Sequence, residues 1–376
     1  MKITHVITGG KYAPEMVRFL NEYFVSKGHE ILFCNVEGNP SLVLEQCQIA
    51  QDEIYRKQKK CSTELIEKLN QCQSDYIVLH NLFFLTNAEK ILLLLKPKLL
   101  RRIVWIEWGA DLYSWRIPRS NKGTVKRLVL NTINKVLRYK FNNIICIFPP
   151  DMEYYKKTFP GSHAKLHYAP YFGYPLDMCL SDYTDFSRLA YDIENGNTIY
   201  IQIGHNAMKT LNHERVLTML SKFSEENIRI LLPLSYGAEK DYIDYISRIA
   251  SKLFPGKVTI LNDFIPETQY FELLDRVDIA IFDTERQCAL GNIHMLNFKN
   301  KKIFLSERGT MYNFFIDEGV PVQKCEDIPS MTYEEFSKPL VISNNDKFSN
   351  YLYWISDITP CKMLWETIFE ELEKKI

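Results

Sequence analysis

Read for hydrophobic and polar positions, the chain consists of short apolar runs that do not alternate, each followed by a stretch with helical spacing. Ile3 to Thr8 reads as a strand, and Glu15 to Lys27 as an amphipathic helix with Met16, Phe19, Leu20 and Phe24 on one face. Further strands are expected at Glu30 to Val36, Asp75 to His80, Arg102 to Trp108 and Asn143 to Phe148. Helices fall between them at Ser62 to Gln73 (capped by Ser62), Ala88 to Leu95 and Thr124 to Phe141, with a short one after Pro149-Pro150. Strands that are apolar throughout and separated by helices predict a parallel sheet covered on both faces.

From Tyr168 to Asn197 the rhythm breaks into Pro, Gly, Tyr and Asp, which predicts a linker over 171–196. The alternation then restarts. Strands are expected at Asn197 to Ile203, Ile228 to Leu234, Val258 to Leu261, Ile279 to Phe282 and Lys302 to Leu305. Helices are expected at His213 to Phe223, Glu239 to Phe254, Glu267 to Val277 and Gly291 to Phe298. The fold class is therefore α/β, with one Rossmann-like domain over 1–170 and a second over 197–345. The remaining 346–376 reads as a helical segment whose Trp354 and Trp365 can dock back on the first domain. Two such domains turn their strand carboxyl ends toward a shared cleft, and open α/β sheets bind ligands at those ends.

Composition narrows this picture. A chain of 376 residues exceeds one hydrophobic core, and 46% hydrophobic with 24% charged residues describes an ordinary folded protein rather than a disordered one. The many aromatic rings can fill cores or stack on sugars and bases. The start MKITHVITGG lacks the features of a secretory signal, and the apolar run Ile91 to Leu95, cut by Lys96, is too short to span a membrane. Nine scattered cysteines without a CxxC pair argue against a disulfide framework or zinc site, so a reducing cytoplasm is expected. Zero net charge and the lack of a recognition motif argue against nucleic acid as a partner. The charge is nevertheless uneven. Between Asp111 and Asp151 there is no acidic residue, while Arg116, Arg119, Lys122, Lys126, Arg127, Lys135, Arg138 and Lys140 fall there. This stretch is either a solvated face or a surface that meets an anionic membrane or a pyrophosphate-bearing acceptor.

The strand-end rule selects Gly9-Gly10, His80 and Glu107 to Asp111 in the first domain. Gly9-Gly10 lacks the full dinucleotide fingerprint and reads as a place of close backbone approach. His80 reads as a satisfied structural histidine or a site group. Asp111 follows its strand through Gly109-Ala110, either as a carboxylate beside a ligand or as a cap for the next helical turn. In the second domain the rule selects Gly204-His205-Asn206 with Asn212-His213, and Pro233-Leu234-Ser235-Tyr236-Gly237. It also selects Arg286-Gln287 followed by Gly291-Asn292. A glycine after a strand with a helix N-terminus nearby suits a diphosphate, Tyr236 can stack on a base, and Arg286 can replace a metal as the charge stabiliser.

These segments resemble the TDP-N-acetylfucosamine:lipid II N-acetylfucosaminyltransferases, glycosyltransferase family 56. The resemblance rests on His5, Met16 to Asn21, His80, the run Trp108-Gly109-Ala110-Asp111-Leu112-Tyr113, Gly204 with Asn212-His213, and Pro233 to Gly237. It extends through Asp263-Phe264 to Arg286-Gln287 and Gly291-Asn292-Ile293. It implies a GT-B fold and inverting, metal-independent transfer of a deoxyamino sugar from a dTDP- or UDP-linked donor. The implied acceptor is a polyprenyl-diphosphate-linked glycan in cell-surface polysaccharide synthesis, at the inner face of the plasma membrane. By the same resemblance Asp111, with Glu107 second, is the general base, while strand-end position puts Gly9, Gly10, His80, Trp108 and Tyr113 on the expected acceptor side. The resemblance gives Gly204, Asn212, His213, Tyr236, Arg286, Gln287, Gly291 and Asn292 to the donor, and the strand-end positions add His205, Asn206, Pro233, Ser235 and Gly237 to the same expected site. Departures from the family pattern at His205-Asn206, Cys288-Ala289 and His294 bear on the identity of the sugar. The competing readings are a nucleotide-sugar 2-epimerase of the same fold and a non-catalytic scaffold at the membrane surface.

Overall fold

The computed structural model describes residues 1–9, 13–35, 54–56, 63–113, 123–171, 198–263, 265, 267–340 and 346–375. The expectations for Gly10, Ser62, Arg116, Arg119, Lys122 and most of the 171–196 linker lie outside these residues. The chain divides into two compact units, one of Met1–Tyr174 with Asp357–Ile376, the other of Pro175–Ser356.

In the first unit seven parallel strands run in the order β3-β2-β1-β4-β5-β6-β7. They are β1 (Ile3–Thr8), β2 (His29–Asn35), β3 (Ile54–Arg56), β4 (Tyr76–Leu79), β5 (Ile103–Glu107), β6 (Asn143–Cys146) and β7 (Lys165–Tyr168). β4, β5 and β6 are buried along their whole length, as strands covered on both faces must be. The chain order reverses between β1 and β4, which places the ligand crevice of this sheet at their carboxyl ends. Where the strand bounds are legible the helices follow, and their starts have local causes. Thr86 and Glu89 close a capping box on the Asn87–Leu94 helix, and Pro97 opens a second helix, Pro97–Arg102, in the stretch that the apolar pattern leaves unassigned between Leu95 and Arg102.

The terminal segment does not behave as one piece. Asp346–Ser356 belongs to the second unit, whereas Ile358–Glu373 covers one face of the first sheet. Cys361, Trp365, Ile368, Phe369 and Leu372 form the buried stripe of that helix, a spacing of three and four residues. They pack on Ile3, Ile7, Phe33 and Val78. The Trp365 indole donates to the Pro170 carbonyl at 3.1 Å, and Glu366 pairs with Lys27 at 2.8 Å.

In the second unit six parallel strands run in the order β10-β9-β8-β11-β12-β13. They are β8 (Ile199–Ile203), β9 (Ile228–Pro233), β10 (Val258–Leu261), β11 (Ile279–Phe282), β12 (Lys302–Leu305) and β13 (Val322–Lys324). The order is that of a doubly wound sheet, and its reversal falls between β8 and β11.

Candidate functional site

At the carboxyl ends of β8, β9 and β11 the second unit gathers most of the residues selected from the sequence. Gly204 ends β8 with φ +67°, and a Cβ there would sit 2.9 Å from the His213 Nε2 and 3.2 Å from the Leu211 Cδ1. Only glycine lets the strand end lie against that imidazole. His213 is fully buried at the start of the His213–Leu220 helix, and burial lowers its pKa to about 4, so the ring is neutral. The Asn206 side chain accepts from the Met208 N–H at 2.9 Å, and the Ala207 N–H donates to the Tyr236 carbonyl at 2.7 Å. Gly237, at φ +102°, packs against Met208 and Asn206, so the loops after β8 and β9 lie side by side. Pro233 ends β9, Ser235 is half-buried and the Tyr236 ring is exposed. Asn212 closes the gap to the third strand end by donating to the Asp283 carbonyl at 2.9 Å.

The loop after β11 is set by charge. Asp283 is fully buried and accepts from Arg215 at 2.6 Å and Arg308 at 2.9 Å. Arg308 also reaches Glu285 and Glu326, and the Gly309 backbone sits against the Thr284 carbonyl with no room for a side chain. Sequence reading missed Arg215 and Arg308 because they come from other elements, 68 and 25 residues away from Asp283.

Arg286 is different. It is 8% exposed, its NH2 group lies 3.2 Å from the Met208 Sδ, and its Nε has no hydrogen-bond partner. Among the described residues no carboxylate pairs with it. A buried guanidinium without an anion is costly, so its place at a strand end suits an anionic ligand. Gln287 is buried beside it, and Gly291 and Asn292 lie in the first turn of the Leu290–Phe298 helix, whose free N–H groups add to the same field.

In the first unit Glu107, Asp111 and Asp151 are all buried. Asp111 accepts from Leu82 N–H at 2.9 Å, Trp105 Nε1 at 3.0 Å and Trp108 N–H at 2.8 Å. Arg138 donates to the Asp111 carbonyl and lies over the Trp105 ring. The Asp111 carboxylate thus ties the loop after β5 to the loop after β4. It does not cap its own helical turn: its donors, Leu82, Trp105 and Trp108, all precede that turn. Glu107 accepts from Gly109 N–H at 2.7 Å and Ile147 N–H at 3.2 Å. Burial first, then the neighbouring Asp151 and Asp111 charges, push its pKa well above the usual carboxylate range. Tyr113 donates its hydroxyl to Asp151 at 2.7 Å and stacks on Tyr154.

The remaining acceptor-side residues meet at the β1, β4 and β5 ends. Asn81 donates to the Thr8 hydroxyl at 3.1 Å, beside Gly9. His80 Nδ1 lies 2.9 Å from the Tyr171 hydroxyl, and the Tyr171 ring packs on Trp108 with centroids 4.3 Å apart.

Comparison with known proteins gives the family and the fold. The profile of the family described as 4-alpha-L-fucosyltransferase, glycosyl transferase group 56, matches residues 2–347. Among solved structures, sucrose-phosphate synthase from Thermosynechococcus elongatus is similar at TM-score 0.66 and 10% identity, over 100% of both chains. A glycosyltransferase from Rickettsia africae matches at TM-score 0.66 and 13% identity, over 99% of this chain and 98% of that one. A trehalose-6-phosphate structure from E. coli bound with UDP-2-fluoro glucose matches at TM-score 0.63 and 12% identity, over 99% of both chains. The fold is that of the GT-B glycosyltransferases.

Proposed function

The chain belongs to glycosyl transferase group 56, and from that premise we propose that it transfers a deoxyamino sugar resembling N-acetylfucosamine from a dTDP- or UDP-linked donor to a polyprenyl-diphosphate-linked glycan. The observation that carries this reading is Arg286, a buried guanidinium with no carboxylate partner among the described residues, at the end of β11. The donor's diphosphate supplies the missing anion. As the bond to the sugar breaks, negative charge grows on that diphosphate, and Arg286 with the Leu290–Phe298 helix N-terminus stabilises it without calling on a metal. Tyr236 is exposed beside the loop and can stack on the base.

The test is transfer from a panel of dTDP- and UDP-sugars, with and without a polyprenyl-diphosphate-linked glycan. The expected result is acceptor-dependent transfer with inverted anomeric configuration. Turnover of the nucleotide sugar alone to its 2-epimer would instead establish the epimerase reading, and no turnover with nucleotide bound would leave a binding module.

A lipid-linked acceptor requires the enzyme at a membrane surface. On the Thr124–Lys140 helix Val125, Leu128, Val129 and Val136 are exposed among Lys126, Arg127, Lys135 and Lys140. The adjacent Asn87–Leu94 helix adds exposed Ile91, with Leu95 at its end. Apolar side chains interleaved with cations suit an anionic interface, each cation contributing on the order of 1 kcal/mol. The protein is expected to float with phosphatidylglycerol vesicles and to lose most of that binding when Val125, Leu128 and Val129 are changed to serine. Equal flotation of the variant would remove this helix from the membrane contact.

A further inference from the structure

Three histidines far apart in sequence form one buried row. By the alternation of side chains along a strand, His5 shares a face of β1 with Ile3 and Ile7, and His29 shares the same face of β2 with Ile31 and Phe33. His80 continues that face beyond Tyr76 and Val78 of β4. Because β2, β1 and β4 are neighbours in the sheet, the three rings meet. His29 Nδ1 lies 2.9 Å from His5 Nε2, His5 Nδ1 lies 3.0 Å from His80 Nε2, and His80 Nδ1 lies 2.9 Å from the Tyr171 hydroxyl. His5 and His80 are almost fully buried and His29 is 6% exposed, under the Phe369 ring.

A layer that only filled space would be cheaper if built of Leu and Phe, since buried ring nitrogens need polar partners, here other imidazoles and the Tyr171 hydroxyl. Burial holds all three rings neutral: it lowers His80 to about 3, His29 to about 4 and His5 well below its usual value. A neutral imidazole has one donor and one acceptor nitrogen, so the row is a continuous, directional chain of hydrogen bonds. One end opens beside Trp108 at the strand carboxyl ends, where an acceptor would bind. The other ends at His29, at the amino end of β2, where the Lys27 and Met1 ammonium groups disfavour a resting positive charge. Those two cations are themselves paired with Glu366 and Glu373. No other charged group faces His5 or His80 among the described residues.

We propose that Tyr171 is a catalytic residue and that His80, His5 and His29 relay the proton it receives. This rests on the reading of the chain as a glycosyltransferase. As the acceptor oxygen bonds to the anomeric carbon, the carbon–phosphate oxygen bond breaks and its electron pair leaves on the nucleoside diphosphate. The acceptor's proton passes to the Tyr171 oxygen while the Tyr171 proton moves to His80 Nδ1. The His80 Nε2 proton moves to His5 Nδ1, and the His5 Nε2 proton to His29 Nδ1. His29 then gives up its Nε2 proton to water. Once the product has left, His29 Nε2 takes a proton back from water and the protons hop back one place. Tyr171 releases its extra proton to water, which resets the row with one net proton delivered to solvent.

The full chain, with dTDP-4-acetamido-4,6-dideoxygalactose as donor and a polyprenyl-diphosphate-linked glycan as acceptor, tests the relay through kcat in mixtures of H2O and D2O. Tyr171→Phe is expected to lower kcat about 100-fold with donor KM unchanged. His29→Gln, remote from the strand ends, is expected to lower kcat about 10-fold and to straighten the curved dependence of rate on deuterium fraction. Nitrogen-15 spectra should give His5 and His80 one protonated and one bare nitrogen each near neutral pH. If both variants melt with the unmodified protein and keep its kcat and curvature, or if either buried ring is an imidazolium, the relay is wrong. Absence of transfer by the unmodified chain would overturn the functional reading and the relay with it, whereas unaltered transfer in both variants overturns the relay alone.

Discussion

Arg286→Gln is expected to lower kcat/KM for sugar transfer about 100- to 1000-fold while leaving the fold as stable as before, or more so. The two effects have one cause. Arg215 and Arg308, at the same edge of the sheet, spend their charge on Asp283 and hold the loop in place. Arg286 touches the Met208 sulfur and has no carboxylate within reach among the described residues. In the empty protein its burial is therefore uncompensated, and removing the charge relieves the fold. When a diphosphate is present the same guanidinium makes charge-assisted hydrogen bonds whose loss corresponds to about 3–4 kcal/mol at the transition state. Thermal melting and steady-state kinetics on the same preparations measure both. A fall in melting temperature with unchanged kinetics would mean that Arg286 is a structural group.

Asp111→Asn is expected to cost about 2–4 kcal/mol of stability and to leave kcat of the folded fraction within about tenfold of the original. The carboxylate accepts from Leu82, Trp105 and Trp108. An amide accepts through one atom only, so its NH2 group must face at least one of those donors, and a buried N–H is left unsatisfied. Burial raises the Asp111 pKa and those same hydrogen bonds oppose the rise, which is how an anchoring carboxylate is kept. Urea unfolding gives the stability, and initial rates at low temperature give the activity. A loss beyond about 1000-fold at full folding would restore Asp111 as the base.

The contrast between these two residues shows what the sequence could and could not yield. The strands Ile3–Thr8, Val258–Leu261, Ile279–Phe282 and Lys302–Leu305 have the bounds their apolar runs predict, and all but Val258–Leu261 are buried along almost their whole length. The strands that escaped, Ile54–Arg56, Lys165–Tyr168 and Val322–Lys324, are all edge strands of three or four residues carrying Lys, Arg, Gln or His. Strand ends were enough to find Gly204, Tyr236 and Arg286, since topology alone brings them together. They could not reveal which charges are already spent. Asp111 looks as available as Arg286 until Leu82, 29 residues away, is seen donating to it. His80 reads as a lone histidine until sheet pairing brings His5 to it across 75 residues.

Calorimetric titration of dTDP and UDP into the unmodified protein and Arg286→Gln tests most directly whether the second unit holds the donor through its diphosphate. One nucleotide is expected to bind per chain, with affinity at least about 100-fold weaker in the variant. Equal affinity of the two proteins for either nucleotide would contradict it.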